Sequence, residues 1–356
     1  MNPAVNEAWP AANPPSPQEA VKLAEGLRGA DVRAAAERIA ERVHRTPVLR
    51  VPEIDDAAGC EVWFKAENLQ RIGAFKARGA MHAVGRLPPE IRQRGVLTFS
   101  SGNHAQAVAL AAAAYGIPAH ICMPEDAPPI KVEAVRRMGA TVELAGLTSE
   151  DRKAACLAQA IKSGGIVIQP FDHPDIVCGA GTATLELREQ VRQACGEELD
   201  ALIVPVGGGG VIAGACVASR DANGRAFPIY SAEPDNCDAM ARSIEAGERV
   251  AVEPGPTLAD GLKPVRVGLL NFEIAKRDLA GCLSVGDEEL GRAFCQILIR
   301  SKTLVEPSGA AGLAALLKAR AQGQFEAHKR VGIMLTGGNL QPELAAQLIN
   351  RYGAEA

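Results

Sequence analysis

The chain carries no excess of positive charge. Its 356 residues hold 38 Lys and Arg against 42 Asp and Glu, a formal net charge of −4. No run of Lys and Arg breaks that balance, so the electrostatic footprint of a nucleic-acid binder is missing. The nine cysteines are scattered, odd in number and never spaced C-x-x-C. That pattern reads as free thiols in a reducing compartment, not as a disulfide frame or a zinc motif. No stretch of ~18 apolar residues occurs, so no membrane-spanning helix is expected. The N-terminus lacks a basic segment leading into an apolar core, so no secretory leader is expected, and the cytoplasm is the expected location. Internal repeats and coiled-coil heptads are missing as well.

What is present is an ordinary globular composition, 47% hydrophobic and 22% charged. At ~100–200 residues per domain, the length suggests two domains, or one α/β unit with a subdomain. Residues 1–18, rich in Pro, Ala, Asn and Ser, read as a disordered tail. Val32, Ala35, Ile39 and Val43 recur at helical spacing, which predicts a helix over 31–44 with Asp31 as its N-cap. Short strands are expected at 47–49 and 61–65, around a turn at Ala58-Gly59. Strands then alternate with helices: strands at 95–99, 119–123, 141–144 and 165–169, with helices at 104–115, 130–138 and 150–163 between them. A second series places strands at 201–206, 228–232 and 330–335, and helices at 179–195, 210–220, 288–299 and 307–322. This rhythm predicts two mainly parallel sheets flanked by helices, with a cleft between them.

Four segments carry chemistry. The strand Ala201-Leu-Ile-Val-Pro-Val206 runs into Gly207-Gly208-Gly209-Gly210 and then a helix. Backbone N–H groups in such a turn can converge on an anion, aided by the positive end of the helix. The run is neither G-x-x-x-x-G-K-[ST] nor G-x-G-x-x-G, so it suits a phosphate other than a nucleoside triphosphate; a tight strand–helix turn is the plainer reading. Lys76 lies in Gly73-Ala-Phe-Lys-Ala-Arg-Gly-Ala80, where a solvated lysine near a helix start is the alternative. Ser100-Ser-Gly-Asn-His-Ala-Gln106 sets two hydroxyls, an amide and an imidazole at one helix start, as a cap or as an anion site. Thr336-Gly-Gly-Asn339 ends the last buried strand, at the edge where open α/β sheets bind ligands.

Taken together, GAFKARGA, SSGNHAQ, PVGGGGVIAG, VEPSGAAG and TGGN resemble the fold-type II pyridoxal-phosphate enzymes, in particular the serine/threonine dehydratase and serine racemase group. The resemblance spans roughly residues 30–340. It implies a two-domain α/β fold like the tryptophan synthase β chain, with residues 19–93 and 173–345 as the large cofactor-binding domain and 94–172 as the small one. It implies pyridoxal 5'-phosphate, bound covalently by Lys76. Gly207, Gly208, Gly209 and Gly210 would cradle its phosphate, Asn103 would meet its ring hydroxyl, Thr336 would face its ring nitrogen, and Phe75 would pack on the ring. Ser100, Ser101, Asn103 and His104 would hold the substrate carboxylate. The implied activity is an ammonia-lyase for L-threonine, L-serine or L-threo-3-hydroxyaspartate, in a homodimer or homotetramer. An amino-acid racemase using Lys76 and Ser101 on opposite faces of Cα is the alternative, and a catalytically silent cofactor-binding protein is another.

Departures from the group sharpen the reading. The stretch after residue 340 is too short for the effector domain of biosynthetic threonine dehydratases, so feedback by isoleucine is not expected. Arg152, in Thr148-Ser-Glu-Asp-Arg152, matches an arginine of the serine racemases and hydroxyaspartate dehydratases. It would clamp a second carboxylate, or else it is a surface charge in a helix's first turn. Racemase-like members bind a divalent cation with a Glu, a carbonyl four residues on and an Asp six residues on. Glu233 and Cys237 fill the first two places, but residue 239 is Ala, with Asp238 beside it. Mg2+ or Ca2+, a monovalent ion, or no ion at all remain open here. Glu306 is expected near the cofactor without a proton-transfer role, and His173 and Cys178 are expected to cap or pack.

Overall fold

The computed structural model describes residues 16–100, 102–220 and 226–356. The expected tail therefore lies outside the described residues up to residue 15. Ser16 is already the N-cap of the first helix, α1 (Pro17–Gly26), in a reciprocal pairing with Glu19. Helix α2 (Gly29–Ile39) starts before Asp31, and the Asp31 carboxylate reaches back 2.9 Å to the Arg28 N–H, acting one turn inside the helix and not as its cap.

Along the chain follow β1 (Val48–Leu49), α3 (Pro52–Ala58), β2 (Glu61–Lys65), α4 (Lys76–Arg86), α5 (Pro89–Arg92), β3 (Val96–Phe99), α6 (Asn103–Tyr115) and β4 (Ala119–Met123). Next come α7 (Pro129–Arg137), β5 (Thr141–Leu144), α8 (Ser149–Ser163), β6 (Ile166–Val167), α9 (Pro174–Cys195), β7 (Ala201–Pro205) and α10 (Gly210–Ser219). The chain ends with β8 (Ile229–Pro234), α11 (Ala239–Ala246), α12 (Leu269–Asp278), β9 (Gly281–Val285), α13 (Asp287–Ser301), α14 (Pro307–Ala321), β10 (Arg330–Met334) and α15 (Pro342–Tyr352). Among the described residues no helix is long and apolar enough to cross a membrane.

Two sheets form. One has six strands in the order β1-β2-β10-β7-β8-β9, the other four in the order β5-β4-β3-β6. Among the described strands only the β1–β2 pair is antiparallel. The period-two alternation of a strand sorts the large core: Leu202 and Val204 face the layer with α9, α10 and α12, while Ile203 faces the layer with α13 and α14. The four-stranded sheet draws all its strands from 96–167. Its core, however, also takes Ala80, Met81, Ala83 and Val84 from α4, the helix that begins at Lys76.

Helix α9 begins five residues before its expected start, with His173 as N-cap: its Nδ1 accepts the Asp175 N–H at 3.1 Å. Cys178 packs in the core, as expected. Strand β9 was not foreseen, because a half-buried edge strand reading Gly-Cys-Leu-Ser-Val gives no clean alternation.

Beneath α4 lies a desolvated charge cluster. The guanidinium of Arg78, fully buried, grips Glu67 at 2.7 and 2.8 Å and Glu186 at 2.8 and 2.8 Å. Lys65, also fully buried, meets Glu186 at 2.8 Å and the Thr46 carbonyl at 2.8 Å. Burial by itself would lower the Arg78 pKa; Glu67 and Glu186 more than reverse that. Removing one partner leaves buried charge without compensation. Arg78→Met is expected to lower stability by about 3–5 kcal/mol in urea denaturation, and Arg78→Met with Glu67→Gln is expected to recover part of that loss.

Candidate active site

Lys76, the glycine turn, Asn103 and the Thr336 segment lie near the carboxyl ends of the strands and are linked through Pro170, Phe171 and Asn339. The segment before α4 is tied to the one after β10. The Phe75 N–H donates to the Thr336 carbonyl at 3.1 Å, and the Gly338 N–H to the Gly73 carbonyl at 2.9 Å. Ala74 and Gly337 pair as an isolated bridge. Ile72 sits at φ 58, a left-handed conformation costly for a β-branched residue, and Asn339 Nδ2 holds its carbonyl at 2.7 Å.

Lys76 opens α4 and is half-buried. Its Nζ donates to the Pro170 carbonyl at 2.8 Å and faces the rings of Phe75 and Phe171 at 5.2 and 6.0 Å. No carboxylate neutralises it, so desolvation alone lowers its pKa to about 8. The lysine is thus a poised amine, as a nucleophile toward an aldehyde requires.

The glycine run forms the turn from β7 into α10. Gly209 is the N-cap at φ 90, a conformation that suits glycine. A Cβ on Gly208 would lie 2.2 Å from the Phe171 ring, so the turn is packed bare against the strap 170–172. That strap is anchored in turn: the Asp172 carboxylate accepts the N–H groups of Leu269 and Leu270 at 2.8 and 3.0 Å, and Asn271 Nδ2 reaches the carbonyls of Phe171 and Gly208 at 3.2 and 2.8 Å. The unpaired N–H groups of the first turn of α10 provide an anion cradle.

From the small sheet, Asn103 opens α6 and crosses to the other unit. Its Nδ2 approaches both Glu306 oxygens at 3.3 Å, and its Oδ1 accepts from Asn339 Nδ2 at 2.7 Å. Burial raises the Glu306 pKa to about 7. Thr336 is buried at the end of β10. Sequence reasoning gave no role to Asn339, Asn271 or Pro170; TGGN contains the first, but nothing in the sequence marks the other two. The residues present fit pyridoxal 5'-phosphate: a desolvated lysine, a Cβ-free helix start for a phosphate, an amide and a hydroxyl for a ring.

Other expectations are changed by the geometry. Ser101 lies outside the described residues; Ser100 Oγ accepts the Gly102 N–H at 3.2 Å. The His104 imidazole is buried against the Ile168 carbonyl at 3.1 Å, and desolvation, then the charge of Lys76, lowers its pKa to about 3. One ring nitrogen of His104 is thus engaged by that carbonyl, and the ring is neutral. Arg152 lies in the first turn of α8, bound to the Leu147 carbonyl at 3.2 Å and Ser149 Oγ at 2.9 Å, with a buried Nε that has no partner.

Glu233 is buried, and its oxygens accept the N–H groups of Met240 and Ala241 at 2.8 and 2.9 Å. Desolvation raises its pKa to about 8. Asp238 pairs with Arg242 at 2.8 Å, and Cys237 Sγ points at the Gly255 carbonyl at 3.7 Å. A hard divalent ion needs six or more oxygens. This set caps α11 and does not fit such an ion.

Because Lys76 must be neutral to attack an aldehyde, cofactor uptake by the cofactor-free protein is expected to rise about tenfold between about pH 7 and about pH 9, then level off above its pKa of about 8. A lysine with an ordinary pKa would show no levelling in that window. Stopped-flow recording of the visible band of lysine-bound cofactor decides between them.

The chain is similar to several known proteins. The L-threo-3-hydroxyaspartate ammonia-lyase of Saccharomyces cerevisiae is 41% identical over 321 residues, 90% of this chain and 95% of that protein. The L-threonine ammonia-lyase of Thermotoga maritima is 36% identical, over 90% of this chain and 78% of that protein. The crystal structure of serine racemase from Dictyostelium discoideum superposes with a TM-score of 0.82 at 39% identity, covering 88% of this chain and 99% of that one. The sequence pattern of the pyridoxal-phosphate dependent enzymes matches residues 39–337, and the chain belongs to that family.

Proposed function

We propose that the chain is an ammonia-lyase that converts a β-hydroxy-α-amino acid, L-threo-3-hydroxyaspartate ahead of L-serine and L-threonine, to a 2-oxo acid and ammonia. The observation that carries the reaction type is Lys76, desolvated and unpaired by any carboxylate, beside a bare helix start and a hydroxyl at Thr336. The bound cofactor supplies a conjugated ring that draws electrons from the substrate Cα. Thr336, a neutral hydroxyl, does not enforce a protonated ring nitrogen, which favours elimination over a long-lived carbanion. Neutral Lys76 Nζ takes the Cα proton, and the ammonium so formed gives a proton to the β-hydroxyl, which leaves as water. The released enamine then takes up water and loses ammonia. Glu306 holds the amide of Asn103, and the segment around Ser100 and Ser101 supports binding of the substrate carboxylate.

The substrate preference rests on Arg152, whose buried, unpartnered Nε leaves donor capacity for a second carboxylate. We also propose a homodimer or homotetramer, which light scattering reads. A divalent cation at Glu233 and Cys237 would have to displace the helix cap described above. Added Mg2+ or Ca2+ is accordingly expected to change turnover by less than about twofold.

The deciding assay measures 2-oxo acid release from L-threo-3-hydroxyaspartate, L-serine and L-threonine. Hydroxyaspartate is expected to give the largest kcat/KM. Arg152→Ala is expected to lower that value by about tenfold to a hundredfold, equivalent to ~1.5–3 kcal/mol for a charged hydrogen bond, and to leave serine and threonine nearly unchanged. Isomerisation of L-serine with its hydroxyl retained would support the racemase reading instead. No turnover of any kind would support a silent binding protein.

A further inference from the structure

The small sheet carries a second cluster of reactive side chains that the active site does not use. In the parallel β4–β5 pair Cys122 is in register with Glu143, and His120 precedes Cys122 by two residues on the same face. His120 Nε2 lies 2.7 Å from Glu143 Oε2, and Cys122 Sγ lies 3.9 Å from the same oxygen. The ligating atoms of all three fall within 4.8 Å of one another. Helix α8 covers this face and delivers Cys156 into the same buried patch as Cys122. Spacing along the chain gave no hint of this, since β4, β5 and α8 each contribute at most two of the four groups.

We propose that His120, Cys122 and Glu143, with Cys156 closing the fourth position, bind a borderline transition-metal ion of the Zn2+ class. Donors on one tetrahedral zinc lie about 3.3–3.8 Å apart, given Zn–S of ~2.3 Å and Zn–N of ~2.0–2.1 Å. The observed separations bracket that range. The donor chemistry selects the ion: imidazole and thiolate suit zinc or cobalt, and a hard oxygen-seeking ion such as Mg2+ would find one carboxylate. An ion pair between His120 and Glu143 explains two of the four residues and leaves both thiols without a purpose. Access is available, because His120 and Glu143 reach solvent while both cysteines are buried. Bound there, the ion ties α8 to the two strands beneath it, and α8 is the helix that begins beside Arg152.

The test uses the full-length, cofactor-loaded protein under a non-thiol reductant, with Co2+ and Zn2+ as probes. The wild type is expected to retain one metal per chain, and Co2+ to give a thiolate charge-transfer band with the visible bands of a tetrahedral site. His120→Asn, Glu143→Gln, Cys122→Val and Cys156→Ala are each expected to weaken Zn2+ binding at least tenfold, with the thiolate band lost in Cys122→Val. Glu233→Gln is expected to leave binding unchanged. Retention of the visible cofactor band shows that each variant is folded. His120 is half-exposed, so its variant keeps the test intact should a buried cysteine variant fail to fold. Absence of a Co2+–thiolate band in the wild type, or Zn2+ affinity equal in the wild type and His120→Asn, overturns the site. Full affinity in Cys156→Ala overturns the fourth ligand.

Discussion

The buried guanidinium of Arg78 is the constraint on which the active site rests. It sits half a turn along α4 from Lys76 and is held by two carboxylates from opposite directions. Glu67 comes from the segment after β2, and Glu186 from the middle of α9. Because all three groups are out of water, any displacement of α4 would separate charges in a medium that does not screen them. Helix α4 therefore has little freedom to rotate, and the direction in which Lys76 leaves its first turn is set from below.

The same logic explains why the lysine faces a carbonyl rather than a carboxylate. A neighbouring acid would hold Nζ charged. The Pro170 carbonyl accepts one hydrogen bond without adding a counter-ion, so burial remains the dominant influence and lowers the amine's pKa to about 8. Around it, polar groups are satisfied by one another: Asn103 by Glu306 and Asn339, Asp172 by the start of α12. Orientation comes from these bonds, and charge is kept away from the amine.

Much of this was legible in the sequence. The strand–glycine–helix run and the alternation of strands and helices are local patterns, and the turn at 207–210 forms where its residues dictate. Lys76 and Thr336 were recognisable through the combined motifs, not through either residue alone. What escaped was set by partners remote in sequence. The His104 ring meets the Ile168 carbonyl, just past β6 and remote in sequence. Glu233 looked like a cation ligand until α11 turned its first N–H groups onto it. Asn339 and Glu306 acquire meaning only where β10, α14 and α6 meet. Edge strand β9 had too weak an alternation to be read.

Helix α6 reads Asn-His-Ala-Gln-Ala-Val-Ala-Leu-Ala-Ala-Ala-Ala-Tyr, and the face it turns to α4 is made largely of methyl groups against Ala80, Ala83 and Val84. Interlocking ridges of long side chains would lock two helices in one register. Rows of alanine offer shallow corrugation and little side-chain entropy to lose. Short side chains let the two helix axes approach closely and bury their facing residues in one cluster. The lysine-bearing helix thereby shares one core with the four-stranded sheet, whose helix α6 opens with Asn103.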